Sequence, residues 1–395
     1  MASDRPYDLV LLGATGFTGG LTADYLAEHA PADLRWALAG RSEAKLEKVR
    51  ARLAAKNPAL AELPLLVADS SDAQSLMELA ATTGVVATTV GPYLQHGGPL
   101  VAACAAAGTD YVDLTGEPEF VDRMYVEHHA TAEASGARIV HACGFDSIPH
   151  DIGAFFTVKE LAKEVGGEIT APVQLRGVVR SNGTFSGGTF HSAMAAFSRA
   201  RQMAEAAKER RRLEPRPEGR RARAKAGKPT RDGELGYWLL PLPTIDPFVV
   251  ARSGAALASY GPEFTYSHYA GTKTLRFAAA GAVGAPALAL TAQVPPLRKA
   301  LLKRVPQGEG PSVKRREKSW FTVDFLAESG GTTLRTQVSG GDPGYTETAK
   351  MLAESAMCLA LDDNPVVAGQ VTTATAMGDA LLTRLQKAGI TFKRV

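Results

Sequence analysis

The chain is poor in cysteine. Three residues, Cys104, Cys143 and Cys358, are few, odd in number and widely scattered over 395 positions. That excludes a disulfide framework and argues against a cysteine-built metal cluster. No internal repeat is apparent, and no nucleophile–base pair or metal-ligand spacing stands out, so no metal is expected. The first twenty residues lack a basic stretch followed by an apolar one, so no secretory leader is expected and a cytoplasmic location is the default. Aromatic residues are missing altogether from Arg199 to Arg231, although that segment carries 13 Lys/Arg against 4 Asp/Glu. With nothing on which bases could stack, a nucleic-acid partner is not expected. The net charge of the whole chain is only +3, so this is one basic segment on a mildly acidic body. Apolar residues make up 45% against 22% charged, enough for a large core, and the length suits two domains.

What is present begins with "DLVLLGATGFTGGLTADYLAEH". An apolar run, Leu9 to Leu12, reads as a buried strand, and Thr22 to His29 continues as a helix. Between them Gly13, Gly16 and Gly19 stand three apart. A strand turning at once into a helix aims the unpaired N–H groups of the helix at whatever occupies the turn, and those groups suit a phosphate. Glycines there let the backbone approach a pyrophosphate. Cofactor contacts are expected from Gly13, Thr15, Gly16, Phe17, Thr18 and Gly19.

Strand and helix patterns then alternate over the first 150 residues, giving six strands and a doubly wound parallel sheet. Beyond Asp151 the rhythm changes. A strand runs into a Gly/Ser loop and a long helix, and "WFTVDFLAESGGTTLRTQVSG" reads as a hairpin turning at Ser329-Gly330-Gly331. Two amphipathic helices close the chain. The expected fold is α/β: a nucleotide-binding domain over residues 1–147, a second α+β substrate domain over 148–371 that includes the basic segment 199–231, and a terminal helix and strand, 372–395, packing back on the first domain. Residues 277–294 carry no charge and sit at the lower length limit for a membrane span. Rich in Ala and Gly, they suit a buried helix or a lip touching a greasy substrate, while the basic "PPLRKALLKRV" behind them leaves peripheral membrane contact open.

At the exit of the second strand, where an NAD site places a carboxylate for the ribose, stand Gly40, Arg41 and Ser42, with Lys45 one turn on. A carboxylate would repel a 2′-phosphate and a guanidinium grips one, so the expected cofactor is NADP(H). Asp69, after the third strand, could accept from the adenine amino group or cap the next helix. Gly91-Pro92-Tyr93 lies where the nicotinamide half should pass. Gly91 permits approach, Pro92 fixes the turn, and Tyr93 could stack, donate a proton or merely pack.

The stretches "GATGFTG", "AGRS", "VGPYLQHGGPLVAACAAAGTDYVDLTGE", "CGFDSIPHDIG", "GEGPSVKRREKSWF" and "SGGDPGYTETAKMLAESAMCLA" run nearly end to end. On these motifs the chain resembles the saccharopine dehydrogenase-like oxidoreductases, and within them the trans-acting enoyl reductase branch. The resemblance implies an NADPH-dependent reductase with an N-terminal Rossmann domain, acting on an α,β-unsaturated lipid or polyketide acyl chain. The turn departs from true saccharopine reductases in having Ala14-Thr15-Gly16, and no arginine set for an amino-dicarboxylate can be placed. A saccharopine-type or other NADP-linked dehydrogenase on an amino or keto acid is the alternative, and a non-catalytic nucleotide-binding protein at a lipid surface the second. Enoyl reduction needs a proton for the α-carbon and polarisation of the thioester carbonyl. The candidates are Tyr93, Asp146, Ser147 and His150 of "GFDSIPHD", and His191. Asp146 and Ser147 could instead cap a helix. The basic segment could steer an acidic acyl carrier protein, or be a solvated surface.

Overall fold

The structure is a computed structural model and describes residues 5–183, 187–304 and 310–395. Strands β1 (Tyr7–Leu12), β2 (Trp36–Gly40), β3 (Leu65–Val67), β4 (Thr83–Thr88), β5 (Asp110–Val112) and β6 (Arg138–Val140) form the first sheet. Between them run α1 (Phe17–His29), α2 (Glu43–Ala54), α3 (Ala73–Ala81), α4 (Tyr93–His96), α5 (Gly98–Ala107) and α6 (Pro118–Ser135). β1, β2 and β4 are buried almost throughout, as strands covered by helices on both faces must be.

After α7 (Ile148–Glu164) come β7 (Val173–Ser181), α8 (Gly187–Ser198), α9 (Ala200–Leu213), β8 (Arg221–Ala224), β9 (Thr230–Arg231), β10 (Trp238–Pro241), α10 (Asp246–Ala256) and β11 (Glu263–Thr272). Then follow α11 (Leu275–Gln293), α12 (Pro295–Leu302), α13 (Val313–Arg316), β12 (Phe321–Ser329), β13 (Thr332–Gly340), α14 (Thr346–Leu361), β14 (Gly369–Val371), α15 (Thr373–Lys387) and β15 (Thr391–Arg394).

The first sheet is parallel in the order β14-β6-β5-β4-β1-β2-β3. The chain reverses direction of travel across the sheet between β1 and β4, and in such sheets the carboxyl ends at that switch point are where a ligand crevice forms. The second sheet is mixed, in the order β15-β13-β12-β7-β11-β10-β9 with β8 beside β11. Its β12–β13 hairpin pairs Ser329 with Thr332. Gly330 and Gly331 turn it with φ of 57° and 86°, the double left-handed turn that glycine tolerates. One hydrophobic cluster joins the two sheets, with Ile148 and Ile152 of α7 and Met351 and Ala356 of α14 between Leu9 and Leu11 on one side and Phe321 and Phe325 on the other. Gly153 allows that approach, since a Cβ there would come within 2.5 Å of the Phe325 ring.

Three expectations need correction. The strand at 391–394 pairs with β13 in the second sheet, not with the first domain. What returns to the first sheet is β14, inside the stretch assigned to the second domain, which extends the sheet beyond β6. A three-residue strand has too short a pattern to be read from sequence. The uncharged stretch 277–294 is a helix, but it is largely exposed rather than buried.

Candidate active site

The nucleotide turn is built from main chain. Gly13 has φ +92°, and a Cβ there would lie 2.7 Å from Thr89 Oγ1. At Gly19 a Cβ would lie 2.1 Å from the Gly13 carbonyl oxygen, so α1 packs on the turn only because that atom is missing. Gly16 is the cap residue, extended and without a side-chain cap. The first helical bond runs from Gly20 N–H to the Gly16 carbonyl at 2.8 Å, which leaves the amides of Phe17, Thr18 and Gly19 without helical partners. Thr15 and Gly16 are exposed, and a Cβ on Gly16 would touch only the Gly13 oxygen, at 3.4 Å. An open cradle of amides at a helix start fits a diphosphate.

At the end of β2, Arg41 and Lys45 are exposed, and Ser42 holds the cap position of α2 without using its hydroxyl as a cap. All three are therefore available to a 2′-phosphate. Asp69 is not a helix cap; Asp72 caps α3, accepting from Gln74 and Ser75. The Asp69 carboxylate accepts from the Ser71 amide and hydroxyl at 2.9 and 2.8 Å, which, with a smaller contribution from Arg41, holds its carboxyl below the usual range.

Gly91 and Pro92 follow β4 on the other side of the crevice. Tyr93 turns inward. It is 7% exposed, its ring packs 5.9 Å from Phe120, and its hydroxyl donates to the Thr88 carbonyl and accepts from the Leu114 amide. Glu117 accepts from the Tyr93 and Leu94 amides and ties the loops after β4 and β5 together. Tyr93 thus anchors the loop, and burial pushes its phenol well above the ordinary value. A proton donor or stacking partner is corrected here to a packing residue.

The end of β6 is different. Ala142 has φ 60°, a left-handed conformation that costs a non-glycine residue about 1–2 kcal/mol. Asp113 holds it there, accepting from the Ala142 amide at 2.9 Å while the His141 ring and Tyr111 hydroxyl take its other oxygen. This bend delivers Asp146 to the rim, with Ser147 and His150 buried beneath it. Ser147 occupies the cap position of α7, but its hydroxyl makes no cap bond and is buried. Asp146 is half-buried, 3.4 Å from where a Cβ of Gly116 would stand. Burial, reinforced by the negative charge of Asp246, raises its carboxyl to about 7.

Asp246 begins α10 and His268 lies on β11, both in the second domain and neither singled out from sequence. Asp246 Oδ1 is 3.0 Å from His150 Nδ1, and Oδ2 is 3.6 Å from His268 Nε2. The two rings meet edge to face at 4.8 Å, and His268 Nδ1 shares a hydrogen bond with the Tyr266 hydroxyl. Burial opposes a charge on His150, but Asp246 and then Asp146 outweigh it and raise its pKa. Burial alone would raise Asp246; His150 and His268 instead hold its carboxyl far below the usual range, and Thr244 also donates to it. His268 is pushed down to about 3 by burial, against the pull of Asp246, and stays neutral. The arrangement is an imidazole–carboxylate pair in which each partner favours the charged form of the other, a second imidazole that burial keeps neutral, and a protonatable acid at the rim. His150, Asp246 and His268 have ligand atoms within 4.8 Å of one another and could hold a divalent cation. The 3.0 Å contact is, however, tighter than the spacing of about 3.3 Å that two ligands take at tetrahedral zinc, and suits an ion pair better.

His191 lies outside this group, on α8, with its ring 6.5 Å from Phe190. Arg210 of the basic segment is not a surface charge. It is buried and pairs with Asp122 and Glu214, while Arg199 holds Glu119 and Arg220 donates to the Gly254 and Leu257 carbonyls. Burial was invisible in a run of arginines. A further residue missed from sequence is Arg316 of α13. It donates to the Thr346 hydroxyl at 2.9 Å and its guanidinium lies 5.8 Å from the Phe17 ring, which brings a second-domain cation over the nucleotide turn.

Residues 9–140 match the saccharopine dehydrogenase NADP-binding domain. A Mycobacterium tuberculosis protein provisionally named a trans-acting enoyl reductase is 39% identical over 99% of this chain and 98% of its own. The trans-acting enoyl reductase of Mycobacterium bovis is 38% identical over 98% and 97%. Among solved structures, apo saccharopine dehydrogenase (L-Glu forming) from Saccharomyces cerevisiae superposes with a TM-score of 0.57 at 14% identity, over 98% of this chain and 100% of that one, a likeness of fold. The protein is an NADP(H)-dependent oxidoreductase, and it belongs to the trans-acting enoyl reductase family, built on the saccharopine dehydrogenase NADP-binding domain.

Proposed function

We propose that the chain reduces the carbon–carbon double bond of an α,β-unsaturated acyl thioester delivered by a lipid or polyketide synthase that lacks its own reductase. The observation that carries this reading is Asp146, an acid with a pKa of about 7 at the rim of the nucleotide sheet. NADPH supplies the hydride for the β-carbon. The amides of Phe17, Thr18 and Gly19 would hold its diphosphate, and Arg41, Ser42 and Lys45 would select the phosphorylated ribose. Arg316 adds positive charge from the second domain beside the nucleotide turn. Asp146, with its carboxyl raised to about 7 by burial, keeps a substantial protonated fraction at neutral pH and gives that proton to the α-carbon. Burial, and then the negative charge of Asp246, keeps the Asp146 proton on.

The acyl chain arrives on an acidic carrier protein, steered by the exposed cations Arg211 and Arg212 of α9. The test is NADPH oxidation by purified protein with an enoyl thioester, with a 2-oxo acid plus amine, and with neither. Oxidation with the enoyl thioester supports the reading. Oxidation only with the 2-oxo acid and amine transfers the chain to amino-acid chemistry, and binding without turnover on any substrate leaves a nucleotide-binding protein.

A further inference from the structure

We propose that α11 and α12 form a docking face for an anionic phospholipid bilayer, with the helices lying along its surface rather than through it. α11 is the one helix among the described residues long and apolar enough to cross a membrane, yet only 12% of its apolar window is buried. Its inner flank is attached to the protein. Ala278 and Ala292 are buried, it packs along α8 and β10, and Gly281 lies so close that a Cβ would come within 2.8 Å of Leu240. A helix seated along its length on its own domain is not free to span a bilayer. The opposite flank is also apolar. Ala279, Val283, Ala287 and Leu290 recur at helical spacing on the outside, Val283 and Leu290 being 72% and 70% exposed. Leu275 and Phe277 before them and Val294 and Leu297 after them are exposed as well. A helix apolar on both flanks normally has an apolar partner on each.

Charge identifies that partner. From Phe264 to Arg304 there are six Lys/Arg and no Asp/Glu. Lys273 and Arg276 stand at one end of the apolar face, and Arg298, Lys299, Lys303 and Arg304 at the other. Two of them sit at the start of α11, where the helix dipole disfavours cations, so helix stability does not account for them. None of the six forms a salt bridge among the described residues; Arg298 donates to the Ala292 carbonyl and Arg276 lies over the Phe277 ring. An apolar strip rimmed by cations matches acyl chains below and anionic headgroups above. An acyl substrate tail would account for the strip and leave the cations unexplained. A second copy of the chain would bring the same cations face to face.

Co-sedimentation of the full chain with vesicles tests this. Binding is expected with phosphatidylcholine vesicles containing phosphatidylglycerol, weakly or not with phosphatidylcholine alone, and should fall with added salt. Each exposed cation should contribute about fivefold, so the triple change Lys299→Glu, Lys303→Glu and Arg304→Glu should reduce binding by about a hundredfold or more. Val283→Asp with Leu290→Asp should reduce it similarly. Both variants alter exposed residues and should keep wild-type circular dichroism and NADPH affinity, readouts independent of the enoyl substrate. Equal sedimentation with and without phosphatidylglycerol would overturn the proposal, as would variants that bind like the wild type. A wild-type dimer that Leu290→Asp converts to monomer would assign the face to a second copy instead.

Discussion

At the end of β1 the site is made of main chain, whereas at the end of β6 it is made of side chains. The first needs three glycines within seven residues and works through amides that any sequence possesses, provided nothing obstructs them. The second draws Asp146 and His150 from one segment, Asp246 from another a hundred residues on, and His268 from a third. Its chemistry depends on burial: the same residues in water would leave Asp146 ionised and His268 free to charge. On the proposed function, one region would hold the cofactor by geometry and the other would handle a proton by electrostatics, so each should be open to disabling without the other.

The sharpest break is Asp146→Asn. It should lower turnover on an enoyl thioester by about 10²–10⁴-fold while NADPH affinity by fluorescence titration stays unchanged. Equal losses in both would make Asp146 a structural residue. Gly19→Ala should do the reverse. Its methyl lies against the Gly13 carbonyl, so NADPH binding weakens and the melting temperature drops by the equivalent of about 1–3 kcal/mol, measurable by calorimetry and thermal denaturation. Next comes Arg41→Ala. Loss of a charge-assisted contact to the 2′-phosphate, about 1.5–3 kcal/mol, should cut NADPH affinity by about ten- to a hundredfold and leave NADH affinity where it was.

The pH dependence separates the two regions more finely. Asp146 has its pKa raised from 3.8 to about 7, so the active acid is lost as pH rises through neutrality, and turnover should fall there while NADPH affinity does not follow. His268 is shifted the other way, from 6.5 to about 3. Between those values the unfolded chain binds a proton that the folded one refuses. The stability contributed by neutral His268 is therefore present above about pH 6.5 and lost progressively as pH falls. His268→Gln should flatten that part of the denaturation profile. The smallest effect is expected from Arg211→Glu with Arg212→Glu: slower association with a carrier-linked substrate, steeper at low salt, and no change with a free thioester.

The same contrast explains what could be read from sequence. The glycine turn, the Arg41–Ser42 pair and the six alternating strands are local patterns, legible because backbone conformation and period are set by neighbours along the chain. "CGFDSIPHDIG" gave Asp146 and His150, but nothing in "TIDPF" or "TYSHY" separates Asp246 and His268 from a helix-start carboxylate and a strand histidine. Only the packing of β11 and α10 against α7 brings them together. Tyr93 stays ambiguous in sequence for a related reason: a tyrosine in a turn carries no sign of whether its ring points into the cleft or into the core. Arg210 likewise looked like its neighbours Arg211 and Arg212 until α9 packed on α6 and buried it.

The division of labour between the two regions is tested most directly by isotope tracing on an enoyl thioester. With NADPH deuterated at the transferred position, the label should appear at the β-carbon of the saturated product. In deuterated solvent with ordinary NADPH, one deuterium should appear at the α-carbon, and Asp146→Asn should slow that incorporation. Label from the cofactor at any carbon other than β, or no saturated product from any enoyl thioester, would contradict the account.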